Sequence, residues 1–182
     1  MPDVADIEQL PVAQARAGEP AAWDILFRRY QLPLYVYVFE LVQNEQAGLD
    51  IVQESFIAAA RHIGSLREDA KFGGWLFGIA HQKCLQHWRK RREVLVEEIP
   101  EDNNESEDGP DDLLIRREQE DACMQLLNQL PLPQRSVLLL HFVEDFSLEE
   151  IARITETQIG TVKSRLHYAK RALRTLLGEL RQ

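Results

Sequence analysis

Between Glu93 and Asp112 half of the residues are acidic: ten Asp or Glu, and no Lys or Arg. So charged a stretch cannot bury enough apolar surface to offset the entropy of ordering it, which predicts a solvated, flexible tether. Asn103-Asn104 and Gly109-Pro110 punctuate it further. The tether splits the 182-residue chain into residues 1–92 and residues 113–182, each enough for one small domain. Both halves place apolar residues at helical spacing, and neither shows strand alternation or an internal repeat. The expected fold is all-α: two small helical bundles joined by a flexible acidic linker over 93–112. The same block explains the net charge of −9, since the other 162 residues carry 21 bases against 20 acids. Local patches, not the total, therefore decide whether nucleic acid can bind.

In chain order, Pro11 to Ala17 reads as a short helix with Gly18 just past its end. Pro20 opens a second that carries Trp23, Leu26, Phe27 and Tyr30, and Leu32 to Val42 reads as a buried helix. Asn44 caps a helix to about Ile63 whose Leu49, Val52, Phe56 and Ile57 are expected to face inward. Asp69 is expected to cap the next, Ala70 to about Arg92, which holds Phe72, Trp75, Leu76, Ile79 and Trp88. Beyond the tether, Asp112 to Leu130 and Pro133 to Val143 are helical. No apolar run approaches 18 residues and the N-terminus lacks a basic-then-apolar signal, so neither a membrane span nor a secretory leader is expected. Cys84 and Cys123 fit no paired spacing, which points to a reduced, cytoplasmic protein. His81, Cys84 and His87 stand three apart and drift by about 60° per step around a helix, so they reach one ion poorly and no metal is expected. No phosphate loop or catalytic motif is present, so neither an enzyme nor a cofactor is expected.

The most informative stretch is Ser147 to Leu177. Ser147 and Glu150 form a capping box that opens a short helix, Leu148 to Ile154. Thr155-Glu156-Thr157 interrupts it, and a longer helix begins near Gln158. There Val162, Leu166, Ala169 and Leu173 make one apolar stripe, while Lys163, His167, Arg171 and Arg174 repeat the spacing on another face. Lys163 to Arg174 holds five Lys or Arg and no acid. A short helix, a three-residue turn and a basic helix read as a helix-turn-helix entering a DNA groove.

The wording of this stretch, Glu149-Glu150-Ile151-Ala152 followed by Gly160-Thr161-Val162-Lys163-Ser164-Arg165-Leu166, resembles the C-terminal domain of extracytoplasmic-function sigma factors of bacterial RNA polymerase. Glu156 replaces the family's usual turn glycine and Gln158 a frequent proline, so Glu156 is expected to hold a costly backbone conformation. The resemblance implies that Thr161, Lys163, Ser164, Arg165, His167, Tyr168 and Arg171 contact the −35 promoter element.

A second resemblance lies in the N-terminal half. Asp50-Ile51-Val52-Gln53-Glu54-Ser55-Phe56 is similar to the family segment that grips the clamp coiled coil of polymerase, which implies contacts from Asp50, Gln53 and Glu54. Lys71 to Ala80 is similar to the segment that reads and melts the −10 element, with the base-capturing pocket in the loop Gly64 to Lys71. Lys71, Trp75, Lys83, His87, Arg89 and Lys90 are then the candidate −10 contacts. Gly73, Gly74 and Gly78 depart from the polar or basic residues common there, and each costs a helix about 1 kcal/mol relative to alanine. The resemblance implies a sigma factor that binds core RNA polymerase and promoter DNA, with an anti-sigma factor as its regulator. The competing expectation is a helix-turn-helix regulator that works without polymerase.

Overall fold

The structure is a computed structural model that describes residues 10–97 and 127–179, with side chains described for 10–93 and 127–175. Most of the expected tether and of the helix from Asp112, with Cys123, lies outside the described residues. Among them the regular elements are all helical.

The first bundle contains α1 (Val12–Arg16), α2 (Pro20–Val42), α3 (Glu45–His62) and α4 (Phe72–Glu97). Trp23 donates its indole N–H to the Ala15 carbonyl at 3.0 Å and ties α1 to α2. The two helices expected between Pro20 and Val42 are one, running through Pro33. Proline removes one ladder bond there. The helix survives because Leu34, Tyr37, Val38 and Leu41 just beyond it are buried in the core. Gln43 ends α2 in the left-handed region (φ 54°), and its amide bonds the Phe39 carbonyl at 2.8 Å. Asn44 caps α3 as expected, accepting from the Ala47 amide at 2.8 Å. Asp69 does not cap α4. It opens a 3-10 turn (Asp69–Lys71), and its carboxylate takes Arg16 at 2.6 Å, a charged partner. Leu49 and Ile57, expected inside, are 49% and 44% exposed. The core-facing side of α3 is the narrower stripe Ile51, Val52, Ser55, Phe56 and Ala59.

The second bundle contains α5 (Leu132–Phe142), α6 (Leu148–Ile154) and α7 (Ile159–Glu179). Val137, Leu140, Ile151, Val162 and Ala169 are fully buried at its centre. Its first helix docks on α2 and its second on α4. Arg135 of α5 donates to the Glu40 carbonyl at the end of α2 at 3.0 Å, and to its own bundle's Asn128 carbonyl at 2.7 Å. Phe146, in the α5–α6 loop, packs edge-on against Phe77 with ring centres 5.2 Å apart.

Glu144 lies in the same loop. Burial pushes its carboxyl up to about 7, the charge of Asp145 adding to this and that of Arg29 on α2 opposing it. The Tyr37 hydroxyl of α2, raised chiefly by its own burial, also feels the Glu144 charge. A carboxyl whose folded pKa lies above its ordinary 4.5 contributes stability below that value and loses it as pH rises through about 7. Wild type should therefore lose stability relative to Glu144→Gln across this window, which paired thermal melts at a series of pH values will measure. A pH-independent difference between the two proteins would contradict the burial of Glu144.

Candidate nucleic-acid and polymerase interfaces

The helix-turn-helix forms as its residues dictate. Ser147 and Glu150 complete the capping box: the Glu150 amide donates to Ser147 Oγ at 3.3 Å, and the Ser147 amide to the Glu150 carboxylate at 2.9 Å. At the other end of α6 the Thr157 amide reaches the Ala152 carbonyl at 2.9 Å and the Glu156 amide that of Arg153 at 3.3 Å. This pair of bonds requires a left-handed residue at the turn. Glu156 takes that role with φ 50°, the strained conformation expected for a non-glycine residue there.

Val162, Leu166 and Ala169 are buried and fix the rotation of α7. Thr161, Lys163, Ser164, His167 and Arg171 are exposed on its outer side, and Tyr168 is 55% exposed. Ser164 donates its hydroxyl to the Gly160 carbonyl at 3.0 Å, leaving oxygen lone pairs for a partner. Arg165 is only half-exposed and turns toward the first bundle, where its charge, after burial itself, helps hold His81 down to about 4. Lys170 lies 4.9 Å over the Phe142 ring. Tyr168 and Arg171 share a shallow groove with Leu130, Pro131 and Gln134.

The candidate −10 residues fall in three places. Lys71 and Trp75 line a pocket of about 380 Å³ with Leu66, Gly78 and, from α6, Arg153 and Ile154. Lys71 is paired with Glu68, and Trp75 packs on Phe72 at 6.0 Å. Lys83 sits farther along α4, held by Glu54 of α3 at 2.9 Å. The fold thus pairs a candidate DNA contact with a candidate polymerase contact. His87 and Lys90 line a separate small pocket with Asn44, Ala47 and Arg91. Burial lowers the His87 pKa, and the neighbouring Arg91 and Lys90 lower it further. Arg89 is exposed, as are Lys90, Arg91 and Arg92. His81 and Cys84 are core residues: His81 Nδ1 meets the Tyr37 hydroxyl at 2.8 Å, and burial pushes the Cys84 thiol up to about 12.

Asp50, Gln53 and Glu54 are exposed on α3. Beside them lies an apolar groove of about 780 Å³ lined by Phe27, Leu32, Leu49, Gln53, Phe56 and Ile57. Phe27 and Leu32 are 42% and 66% exposed, large apolar surface that a monomer seldom leaves contiguous without a partner. The sequence analysis missed this groove by taking Leu49 and Ile57 as core along with Val52 and Phe56. The signal was an excess of apolar residues, more than one helical stripe can bury.

Two family models match the chain, "Sigma-70 region 2" over residues 26–94 and "Sigma-70, region 4" over residues 121–173. The RNA polymerase sigma-H factor of Pseudomonas aeruginosa is 31% identical over 176 residues, covering 91% of each chain. The ECF RNA polymerase sigma-E factor of Escherichia coli is 30% identical over 91% of this chain and 92% of its own. The chain belongs to the extracytoplasmic-function sigma factors. It is an alternative sigma factor that directs transcription by RNA polymerase, and the polymerase-independent regulator is set aside. A solved structure of the sigma factor RpoE from Bartonella quintana, in complex with the anti-sigma factor NepR, superposes with a TM-score of 0.65 at 26% identity. The match covers 84% of this chain and 96% of that one. Among the described residues of this sigma factor no helix is long and apolar enough to cross a membrane.

The turn of the helix-turn-helix yields a direct test. A left-handed residue with a Cβ costs roughly 1–2 kcal/mol, of which the greater unfolded-state freedom of glycine takes back about 0.5–1. Glu156→Gly should stabilise the protein by about 0.5–1 kcal/mol in chemical denaturation. A loss of stability would mean that the Glu156 side chain contributes more than its backbone costs.

Proposed function

We propose that residues 1–92 form the sigma domain that binds core polymerase and reads and melts the −10 element, and that 113–182 form the domain that reads the −35 element. The observation that carries this is the rotation of α7: its apolar stripe is buried, and Lys163, Ser164, His167 and Tyr168 project from the opposite side. Side chains in that position enter a major groove when the helix does. Lys163 is the −35 base reader, with Thr161, Ser164, His167 and Tyr168 beside it. Arg171 lies farther along and contacts phosphate. Arg165 joins them once the bundles separate.

In the N-terminal domain Asp50, Gln53 and Glu54 bind the polymerase clamp, and the apolar groove beside Gln53 gives that contact its buried centre. Lys71 and Trp75 take the melted −10 strand, Trp75 offering a stacking surface, while Lys83, His87, Arg89 and Lys90 follow the phosphates along α4. The chain catalyses nothing itself: polymerase makes the RNA, in the cytoplasm, and this subunit chooses where it starts. A regulator of anti-sigma type suits it, as with the Bartonella protein.

Two measurements test these assignments. Gln53→Ala with Glu54→Ala should weaken binding to core polymerase without altering the thermal melt, since the exposed Glu54–Lys83 pair it breaks is worth only about 0–1 kcal/mol. Unchanged affinity with a normal melt would remove the clamp assignment. Against a panel of −35 variants, Lys163→Ala should lose about 1–3 kcal/mol of discrimination at one base pair. Arg171→Ala should weaken all of the variants alike and flatten the salt dependence. The reverse pattern would mean that α7 is rotated differently on DNA.

A further inference from the structure

Between α3 and α4 the chain leaves helical geometry at Leu66, Arg67 and Glu68. Leu66 and Glu68 are extended (φ −73°, ψ 116° and φ −125°, ψ 113°). Leu66 buries its side chain, whereas Arg67 and Glu68 are exposed. Among the described residues, the amides of Arg67 and Glu68 donate to no carbonyl of the chain. The stretch thus presents free donors at the surface, and fixing its shape costs conformational entropy.

Arg16 closes the gap. Its Nη2 donates both to the Leu66 carbonyl at 3.1 Å and to the Asp69 carboxylate at 2.6 Å. One nitrogen joins the residues on either side of Arg67 and Glu68. The arm that carries it, α1, has five residues and could not hold its helix alone. Val12 and Ala15 are buried beneath it, and the Ala15 carbonyl, next to Arg16, accepts from the Trp23 indole. The same Trp23 packs edge-on against Phe72, ring centres 6.4 Å apart, where the loop ends and α4 begins. Both sides of the clasp are therefore anchored on one core aromatic. α1 lies before residues 26–94, the stretch that the region 2 model matches, so the clasp ties a helix outside that stretch to a loop inside it.

As a stabiliser of the whole fold the Arg16–Asp69 pair is weak, because both side chains are partly exposed and screened by solvent. Its effect falls on the two residues it brackets. A base taken out of the stack is read through hydrogen bonds to its edge, and donors serve that best when they are held in place beforehand. We propose that Arg16 is a positioning residue for −10 recognition: it clasps Leu66 to Asp69 and holds the backbone of Arg67 and Glu68 in the shape that receives an unpaired base. The proposal rests on the assignment of the loop from Gly64 to Lys71 to the −10 element.

The test uses the full chain with core polymerase and a promoter fragment that carries both elements. Arg16→Ala and Asp69→Ala break the clasp from its two ends, so one variant remains if the other fails to fold. Arg16→Lys keeps a charged nitrogen that can make both bonds, and Arg67→Ala changes the loop itself. Strand opening is read by the permanganate reactivity of unpaired thymines, and base preference by single substitutions in each element. Arg16→Ala and Asp69→Ala should slow opening about threefold to tenfold and lose discrimination within the −10 element. Thermal melts, affinity for core polymerase and the −35 panel should not change, which separates positioning from a general loss of structure. Arg16→Lys should recover most of the opening rate. Without polymerase, trypsin should cut after Arg67 faster in both clasp variants, because cleavage follows the population of the open loop. Wild-type opening and −10 preference in both clasp variants overturns the proposal, and so does a loss shared equally by the two elements. If Arg67→Ala alters −10 preference and the clasp variants do not, the loop assignment stands and only the clasp fails. If none of the variants alters it, the loop assignment fails as well.

Discussion

The structure depends on how closely a helix can approach α4. Packing distance between helices is set by the side chains at the crossing, and where there are none two backbones come to van der Waals contact. At Gly74 and Gly78 a Cβ would only just reach the Phe146 ring and the Ile154 backbone, while Leu76, Phe77 and Ala80 of the same helix are buried in the core. The helix therefore belongs to two interfaces at once. Read as a single amphipathic helix its glycines are only a loss of about 1 kcal/mol each. With α6 in place, two of them lie where the second bundle meets the helix.

Charge is arranged with the same economy. The ten acids of residues 93–112 account for the whole negative balance, and the outer side of α7 is left cationic. Several cations of the first bundle are already neutralised locally: Lys71 by Glu68, Lys83 by Glu54 and Arg16 by Asp69. Such exposed pairs are weak and screened by salt, so each can be exchanged for a phosphate at small cost. Arg89 to Arg92, with no acid among them in sequence, form the exposed basic run at the far end of α4.

The sigma-factor family explains why two such different surfaces share one short chain. An apolar groove with polar neighbours suits a protein partner, and a basic helix over a buried stripe suits a duplex. Neither surface needs the other for its local geometry. What joins them is the chain and, in this structure, the α4–α6 and α2–α5 contacts.

Much of this was legible in residue order. The capping box, the span of α6, the inward stripe of α7, the strained Glu156 and the Asn44 cap are local or periodic features, settled by bonds within a few residues. The all-helical class and the family followed from the same kind of pattern. Tertiary structure decided the rest. That Asp69 turns to Arg16, that Lys83 holds Glu54, that Leu49 and Ile57 face outward and that Arg165 leans toward His81 all depend on residues distant in sequence. The role of Gly74 and Gly78 is the clearest case. A missing side chain has no pattern of its own, and its meaning lies in the helix that comes to occupy the space.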